Sequence, residues 1–299
     1  MSKDTRSLMV SIWCITYNHE PYIRQCLDGF VMQKTNFRFE AIVHDDASTD
    51  GTAAIVKEYA EKYPDIIKPI LETENQYSKQ DGSLERICRE MCNGKYFAIC
   101  EGDDFWTDPY KLQKQVDFLE ANPEYSMCFH SVCVKDNGVD NYQLFKHLKE
   151  GIYEGDAVVQ KWTVPTCSIV GKRECIKSIP WDNRFNVGDI VIVLTCASFG
   201  KLYCINEKMG VYNKNQTGWV SKNENIERFY KSLSHQDAML EYFPQFRNSF
   251  LDVKMRYVIR IIHFYVQTNF FKSLPWILKG MLTPMRFIKQ FIWMSKNRK

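Results

Sequence analysis

Residues 41–52 read AIVHDDASTDGT, and residues 96–106 read YFAICEGDDFW. Each stretch begins with an apolar run, which is typical of a strand buried on both faces of a parallel sheet. Each then becomes acidic, and neighbouring carboxylates repel one another unless a cation or hydrogen-bond donors compensate them. Carboxylate oxygens are the ligands by which hard divalent cations bridge a diphosphate to a protein. The two stretches therefore predict a metal-assisted nucleotide-diphosphate site at the carboxyl ends of strands in an open α/β sheet.

Strand and helix patterns alternate on both sides of these stretches. The strand patterns of the first half are Leu8–Thr16, Phe37–Val43, Ile66–Leu71, Tyr96–Cys100 and Ser126–Val134. Helical patterns lie between them, so the first half predicts a largely parallel sheet with right-handed crossovers. The second half predicts a strand at Val164–Val170, a helix at Val187–Phe199, short strands at Leu202–Asn206 and Met209–Asn213, and helices from Asn223 onward.

Charge is divided unevenly along the chain. The 299 residues carry a net charge of +3, yet no Asp or Glu follows Asp252, whereas ten Lys or Arg do. The remainder of the chain has a net charge of −7. A mildly acidic body with a basic tail indicates that the tail contacts something anionic. The tail contains no recognised nucleic-acid-binding module, so no nucleic-acid partner is expected.

The cysteines and the apolar segments indicate a cellular location. Eleven cysteines lie mostly inside apolar stretches without a CxxC pair, which predicts buried, reduced thiols of a cytosolic protein. The segment Met1–Arg6 lacks the apolar stretch of a secretory signal. The apolar segment Tyr257–Phe271 is interrupted by Arg260 and His263, so no transmembrane segment is expected.

Several motifs, taken in order, resemble the family 2 glycosyltransferases of the GT-A fold, of the type that builds bacterial surface polysaccharides. The matching segments are Val10–Ile12, Thr16–Asn18, His44–Thr52, Glu101–Asp104, Gly188–Asp189 and Tyr212–Ser221. The resemblance implies transfer of a sugar from a nucleotide sugar, usually a UDP-sugar, with inversion at the anomeric carbon. It also implies a catalytic domain over residues 1–221, with a nucleotide-binding half at about 1–135 and an acceptor half at about 136–221. Residues 222–299 then form a helical, basic and amphipathic C-terminal region.

The resemblance assigns the nucleotide to two turns. Thr16, Tyr17 and Asn18 are expected to cover the nucleobase, with the ring of Tyr17 stacked on uracil. The alternative for Tyr17 is a ring that covers the sheet edge. Asp46 is expected to accept a hydrogen bond from the uracil N–H, since a carboxylate is an acceptor only. Asp50 is interpreted as a turn former.

The Glu101–Asp104 motif lies where the family has its metal site, which often begins with Asp rather than Glu. Asp104 is expected to bind Mn²⁺ or Mg²⁺, and Asp103 to contact the ribose or the metal with its water shell. Glu101 is a possible further contact. Such a cation neutralises charge on the departing diphosphate. The alternative is an acidic turn that only caps a helix.

An inverting transfer needs a base that accepts the proton of the acceptor hydroxyl. The family places an acid at the start of a helix in the second half, which here is Asp189, and its alternative role is a helix cap. The loop Tyr212–Ser221 is expected to close over the diphosphate. In it, Lys214 is a candidate phosphate contact, and Trp219 is a possible further site residue. The alternative is a purely structural loop.

The C-terminal region combines apolar residues at helical spacing with interleaved Lys and Arg. This pattern is typical of a helix that lies in an anionic membrane interface, and the alternative is a helix packed on the catalytic domain with a solvated basic face. Trp276 and Trp293 are expected at the level of the lipid headgroups. The sequence thus predicts a cytoplasmic enzyme, peripheral to the inner face of the cell membrane, that acts on a glycan or lipid-linked glycan.

Two other functions fit parts of the pattern. A nucleotidyltransferase that makes sugar nucleotides has a similar fold. It needs a glycine-rich, basic loop after the first strand, where this chain has Tyr17–Glu20. A non-catalytic, membrane-recruited protein would bind a sugar nucleotide without turnover, and the presence of both Asp104 and Asp189 argues against it.

Overall fold

The computed structural model describes residues 6–141, 143–214, 225–268 and 270–296. The chain divides into two compact units. The first unit comprises Met1–Glu154, Thr163–Ile179 and Ile192–Gly218, and the second comprises Gly155–Trp162, Pro180–Val191 and Trp219–Lys299. The domain boundary at residues 221 and 222 stays a prediction.

The first unit is built on a mixed sheet. Its strands in the described residues are β1 (Leu8–Thr16), β2 (Arg38–Asp45), β3 (Ile67–Leu71), β4 (Tyr96–Ile99), β5 (Phe105–Trp106), β6 (Tyr125–Asp136), β7 (Val139–Asp140), β8 (Gly151–Tyr153), β9 (Val170–Lys172) and β10 (Lys201–Lys214). The strand order is β3-β2-β1-β4-β9-β6-β10-β5, with β7 on β6 and β8 on β10. The long ladders, β3-β2-β1-β4 and β6-β10, are parallel, as the alternating pattern predicted. The short strands β5, β7, β8 and β9 pair antiparallel.

Helices connect these strands and form most of the second unit. Their bounds are α1 (Glu20–Val31), α2 (Thr52–Lys62), α3 (Ser83–Met91), α4 (Lys111–Ala121), α5 (Gly155–Gln160), α6 (Arg173–Lys177), α7 (Gly188–Phe199), α8 (Ile226–Tyr242), α9 (Arg247–Thr268), α10 (Leu274–Met281) and α11 (Pro284–Lys296). The predicted helices of the first half, the helix at Val187–Phe199 and the helical C-terminal region are confirmed.

Strand pairing brings the two acidic stretches together. β1 lies between β2 and β4, and all three run in the same direction, so their carboxyl ends meet at one edge of the sheet. The backbone N–H of Asp46 donates to Thr16 O (2.9 Å), and that of Gly102 donates to Ile15 O (2.9 Å). The end of β1 therefore anchors the turn after β2 and the turn after β4.

Two predictions for the second half were wrong in detail. Residues 164–169 do not form a strand, because a short 3₁₀ turn at Thr166–Ser168 interrupts them and β9 begins only at Val170. Side chains satisfy the carbonyls of that turn: Trp106 Nε1 donates to Cys167 O and Gln115 Nε2 donates to Ser168 O. The two short strands expected over residues 202–213 are one strand, β10, with register irregularities between Ile205 and Val211.

The second unit has its own apolar core. Buried side chains of α8 and α9 form it, including Phe229, Leu233 and Val258. The α10–α11 hairpin (residues 274–296) packs Trp276, Phe287 and Met294 against this core. The Trp276 ring thus contributes to packing while staying partly exposed, and the headgroup positions expected for Trp276 and Trp293 stay predictions. Among the helices of the described residues, none combines the length and apolarity needed to cross a bilayer.

A lysine is buried in the core of the first unit. Lys111, at the start of α4, has no exposed surface, and its Nζ lies 3.8 Å from the centre of the Trp106 ring. This ammonium has no hydrogen-bond partner in the described residues. Burial lowers the pKa of Lys111 from its ordinary value of 10.5 to about 7. A buried ammonium without an acceptor costs stability, which the contact with the indole ring offsets only in part.

We expect this lysine to give the protein a pH-dependent stability. Between the folded pKa of about 7 and the ordinary value of 10.5, the unfolded chain binds one more proton than the folded protein. The free energy of unfolding therefore rises with pH in this window, whereas Lys111→Met lacks this titration. Lys111→Met should be more stable than the wild type at pH 7, and its advantage should shrink by on the order of 2 kcal/mol by about pH 9.5.

Urea unfolding at the two pH values measures this difference. Lys62→Met is a suitable control, because Lys62 is exposed and its Nζ lies 5.1 Å from the centre of the Tyr63 ring. Its stability relative to the wild type should not change over this pH range. A constant difference between Lys111→Met and the wild type would contradict the prediction.

Candidate active site

The acidic turn between β4 and β5 gathers three carboxylates. Ligand oxygens of Glu101, Asp103 and Asp104 all lie within 4.8 Å of one another. Asp104 is 2% exposed, and the other two are partly buried. The backbone N–H of Asp104 donates to Glu101 O (3.0 Å) and closes the turn. Three acids so close together are mutually repulsive, which favours a bound cation.

Gly102 allows this turn to approach β1. A Cβ atom at residue 102 would lie 2.5 Å from Thr16 Oγ1 and 2.6 Å from Thr16 Cβ, so any larger residue would push the turn away from the strand. His19 lies on the same side, with its Nε2 4.0 Å from Asp103 Oδ2. The position of the carboxylates is therefore fixed by close contact with the end of β1.

Asn213, near the end of β10, makes two hydrogen bonds with the acidic turn. Its backbone N–H donates to Asp104 Oδ1 (2.7 Å), and its side-chain Nδ2 donates to Asp103 O (2.5 Å). No local sequence pattern predicts this contact, because it depends on the pairing of β10 with the two-residue strand β5.

The carboxylates fit the cation that the sequence predicts. An all-oxygen set with one buried and two partly buried acids is the chemistry that Mn²⁺ or Mg²⁺ uses, and such sites often need only one or two carboxylates besides substrate oxygens. Asp104, Asp103 and Glu101 are therefore able to hold a divalent cation. In the described residues, they are the only group of three or more His, Cys, Asp or Glu side chains with this spacing.

The turn after β1 presents an aromatic ring at the same sheet edge. Tyr17 is 44% exposed, whereas Thr16 is fully buried. Asn18 has a φ of 53°, a left-handed conformation that asparagine tolerates better than most residues. Its Oδ1 accepts the Thr49 N–H (2.8 Å), so the turns after β1 and β2 hold each other. Nucleobase stacking by Tyr17 stays a prediction.

The three aspartates at the end of β2 and in the turn that follows have different partners. Asp45 accepts from the backbone and hydroxyl of Ser48, and Asp50 accepts from the backbone and hydroxyl of Thr52. The turn role expected for Asp50 is confirmed. Asp46 is 1% exposed, and its two oxygens accept the backbone N–H groups of Gln76 (2.6 Å) and Tyr77 (3.1 Å). Asp46 therefore orders the loop after β3, and its contact with uracil stays a prediction.

Lys214, Trp219 and Asp189 are the remaining candidate residues. Lys214 Nζ binds Asp136 Oδ2 (2.8 Å), so a phosphate would have to compete with this ion pair. Trp219 lies outside the described residues. Asp189 lies in the first turn of α7, in the part of that helix that belongs to the second unit. The helix start predicted for it is confirmed, and its role as a base stays a prediction.

An open pocket of about 380 Å³ lies beside the end of β6. Cys133, Phe145, Asn206 and Lys208 are among its lining residues. Phe145 is buried and has a φ of 59°, which is unusual for a bulky residue. Its ring meets Tyr212 edge to face, with centroids 5.6 Å apart. This contact holds the segment of β10 that precedes Asn213.

Sequence comparison identifies the family. The family model described as Glycosyl transferase family 2 matches residues 11–186, which contain both acidic stretches. The chain belongs to glycosyltransferase family 2.

Two relatives illustrate the range of this family. An uncharacterized protein of Mycobacterium tuberculosis is 35% identical over 229 residues, which cover 76% of this chain and 65% of that protein. The chain thus spans just under two thirds of the length of these mycobacterial relatives. The putative teichuronic acid biosynthesis glycosyltransferase TuaG of Bacillus subtilis is 29% identical over 209 residues, which cover 68% of this chain and 78% of that protein.

Solved structures share the fold. S. aureus TarS in complex with UDP-GlcNAc matches with a TM-score of 0.63 at 17% identity, over 82% of this chain and 72% of that chain. A mannosyltransferase of Pyrobaculum calidifontis in complex with GDP-Man and Mn²⁺ matches with a TM-score of 0.55 at 17% identity, over 97% of this chain and 84% of that chain. The predicted GT-A fold, an α/β sheet flanked by helices and followed by C-terminal helices, is confirmed for this family 2 member.

Proposed function

We propose that this family 2 member is a metal-dependent, inverting glycosyltransferase that transfers a sugar from a UDP-sugar to a hydroxyl of a glycan or lipid-linked glycan. The observation that carries the proposal is the cluster of Glu101, Asp103 and Asp104 at the carboxyl edge of a GT-A sheet. A group of acids on one turn is suited to a cation that also binds a diphosphate. The likeness to proteins solved with UDP-GlcNAc or with GDP-Man and Mn²⁺ supports a nucleotide-sugar donor.

The donor is held through its base and its diphosphate. Tyr17 offers an exposed ring to the nucleobase, and Asp46 offers acceptor oxygens at the same edge. Asp104 and Asp103 hold Mn²⁺ or Mg²⁺, with Glu101 as a further ligand or as an acceptor for its water shell. When bound, the cation neutralises charge on the leaving diphosphate. Asp103 is also able to accept a hydrogen bond from a ribose hydroxyl.

The chain supplies the base for the acceptor. Asp189 takes the proton of the acceptor hydroxyl while that oxygen forms a bond to the anomeric carbon. The bond between this carbon and the nucleoside diphosphate breaks on the opposite face, so the configuration inverts and UDP leaves. The position of Asp189 in the first turn of α7 supports this role, because the family resemblance places the base at the start of a helix in the second half of the catalytic domain.

The α10–α11 hairpin supports a location at an anionic membrane surface. Its exposed apolar side chains include Leu278, Leu282 and Met285, the last two being 82% and 80% exposed. Lys279 and Lys289 are exposed beside them, and the hairpin contains no Asp or Glu. Apolar side chains that enter the acyl boundary and lysines that meet anionic headgroups are the features of an interfacial helix. We therefore place the enzyme at the inner face of the cell membrane, where lipid-linked glycans are accessible.

Removal of the Asp104 charge should abolish metal-dependent donor binding. Asp104→Asn retains an oxygen that accepts the Asn213 N–H but has no negative charge for a cation. We expect UDP binding by isothermal titration calorimetry to lose its dependence on Mn²⁺, and turnover of a UDP-sugar to fall by on the order of 10² or more. Asp108→Asn, which changes an acid outside the cluster, should bind UDP as the wild type does. Mn²⁺-dependent UDP binding that survives in Asp104→Asn would refute the metal site.

Asp189→Asn should separate donor binding from catalysis. The substitution keeps the shape of the side chain but removes its basicity, so we expect an unchanged UDP affinity and a kcat lower by on the order of 10² or more. Asp156→Asn is a matched control, because Asp156 is also an acid in the first turn of a helix, α5. An Asp189→Asn variant with wild-type kcat would assign the base to another residue. That outcome would not contradict the proposed donor site, which is tested separately by Asp104→Asn.

The membrane surface is best tested by substitution. Removal of the hairpin would expose the core against which Trp276, Phe287 and Met294 pack. The double variant Leu282→Asp/Met285→Asp changes only highly exposed residues, so its thermal unfolding should match the wild type. Burial of a Leu or Met side chain in the membrane contributes about 1.5–3 kcal/mol to the binding free energy, and the aspartates lack this contribution. Binding of the double variant to vesicles should therefore weaken at least tenfold.

Co-sedimentation with two kinds of vesicle measures this effect. The wild type should bind vesicles of equal parts phosphatidylcholine and phosphatidylglycerol at low salt, and bind phosphatidylcholine vesicles weakly. Val139→Asp provides a control, since Val139 is 70% exposed and lies in β7 of the first unit. Wild-type binding that is equal for anionic and neutral vesicles and does not change with salt would contradict the electrostatic part of the proposal. Unchanged binding by the double variant would contradict the apolar part.

A further inference from the structure

Asn213 lies outside the acidic turn and makes direct hydrogen bonds with two of its aspartates. β10 pairs parallel with β6 and antiparallel with β5, which begins one residue after Asp104. The pairing of Val211 with Phe105 therefore carries the next residues of β10 past the carboxylates. This placement results from strand register, so it is a built-in feature of the sheet and not a chance contact of a surface side chain.

The two hydrogen bonds of Asn213 act on different parts of the turn. Its backbone N–H fixes the rotation of the Asp104 carboxylate by donating to Oδ1 (2.7 Å). Its side-chain amide donates to Asp103 O (2.5 Å) and so fixes the peptide that joins the two aspartates. Any residue except proline supplies the first bond, but only a side chain with a donor of suitable length supplies the second.

The end of β10 is itself held firmly. Tyr212 packs edge to face on Phe145, and Lys214 is bound to Asp136 through Nζ (2.8 Å). The backbone N–H of Asn137 also donates to Lys214 O (3.1 Å). Asn213 therefore stands between two anchored neighbours, and a fixed donor can orient a carboxylate without the entropy cost of ordering a free side chain.

We infer that Asn213 is a positioning residue for the cation: it holds the Asp103–Asp104 peptide and the Asp104 carboxylate in the orientation that binds the metal. The inference rests on the proposed metal-dependent function. Groups that hydrogen-bond to metal ligands typically change metal affinity 10–100-fold when they are replaced. Loss of the Asn213 side-chain amide should therefore weaken Mn²⁺ binding and raise the Mn²⁺ concentration that donor binding needs, while the fold and the chemistry at saturating metal stay unchanged.

The test compares Asn213→Ala with a matched asparagine. Asn122 is also partly buried, and its Nδ2 donates to Phe118 O (2.8 Å), but it lies at the end of α4, away from the acidic turn. UDP affinity is measured by calorimetry over a series of Mn²⁺ concentrations. For Asn213→Ala, the Mn²⁺ concentration that gives half of the gain in UDP affinity should rise about tenfold, while kcat at saturating Mn²⁺ stays close to the wild-type value. Asn122→Ala should behave as the wild type does.

A second variant protects the test against misfolding. Asn213→Ser keeps a donor on a shorter side chain, so its Mn²⁺ requirement should lie between those of the wild type and Asn213→Ala. An unchanged Mn²⁺ requirement in Asn213→Ala and Asn213→Ser overturns the inference, as does an equal rise in Asn122→Ala. If the UDP affinity of the wild type does not respond to Mn²⁺, the proposed metal-dependent function fails, and this inference fails with it.

Discussion

The parallel pairing of β1 with both β2 and β4 is the constraint on which the candidate site depends. It brings the carboxyl ends of three strands to one edge, where Thr16 O accepts the Asp46 N–H and Ile15 O accepts the Gly102 N–H. These hydrogen bonds hold the acidic turns after β2 and β4 against the end of β1, although repulsion between their carboxylates favours separation. A cation bound at this edge would reduce the repulsion between the carboxylates. Gly102 is part of the same constraint, because any Cβ at this position would collide with Thr16.

The sequence predicted the parts of this arrangement that leave a local pattern. Apolar runs that end in acids predicted the strands and the carboxylate cluster, and the alternation of strand and helix patterns predicted that the strands are parallel. These features follow from residues that are close together in the sequence. The contacts of Asp46 with the loop after β3 and of Asn213 with the acidic turn were not predictable in this way. Both involve backbone N–H groups, which every residue but proline carries, brought together by register between distant segments. The strand predicted at Val164–Val170 was wrong for a related reason. Side chains distant in sequence, Trp106 and Gln115, donate to the carbonyls of the 3₁₀ turn, which a neighbouring strand would otherwise bind.

The α10–α11 hairpin has features of both interpretations that the sequence left open, although only its packing is observed. Periodicity showed an amphipathic region but not which apolar residues face inward. One face, with Trp276 and Phe287, packs on the core of α8 and α9, and the other presents Leu282 and Met285 to the outside. Asp252, the last acid of the chain, is neutralised by Arg286 (3.1 Å) and Lys289 (3.6 Å). The hairpin itself contains no acid, so its other basic residues, Lys279 among them, leave it with a positive net charge.

The distribution of thiols makes the first unit convenient for spectroscopy. Of the cysteines whose side chains the structure describes, Cys133 is exposed and the others are buried. Burial raises the pKa of several buried thiols, among them Cys92, Cys128 and Cys204, to about 12, which suppresses the reactive thiolate. Among these described cysteines, a maleimide dye would accordingly react first at Cys133, on the wall of the pocket beside β6. The native chain thus offers a position for a fluorescent reporter close to β10 without any need to remove the thiols of its core.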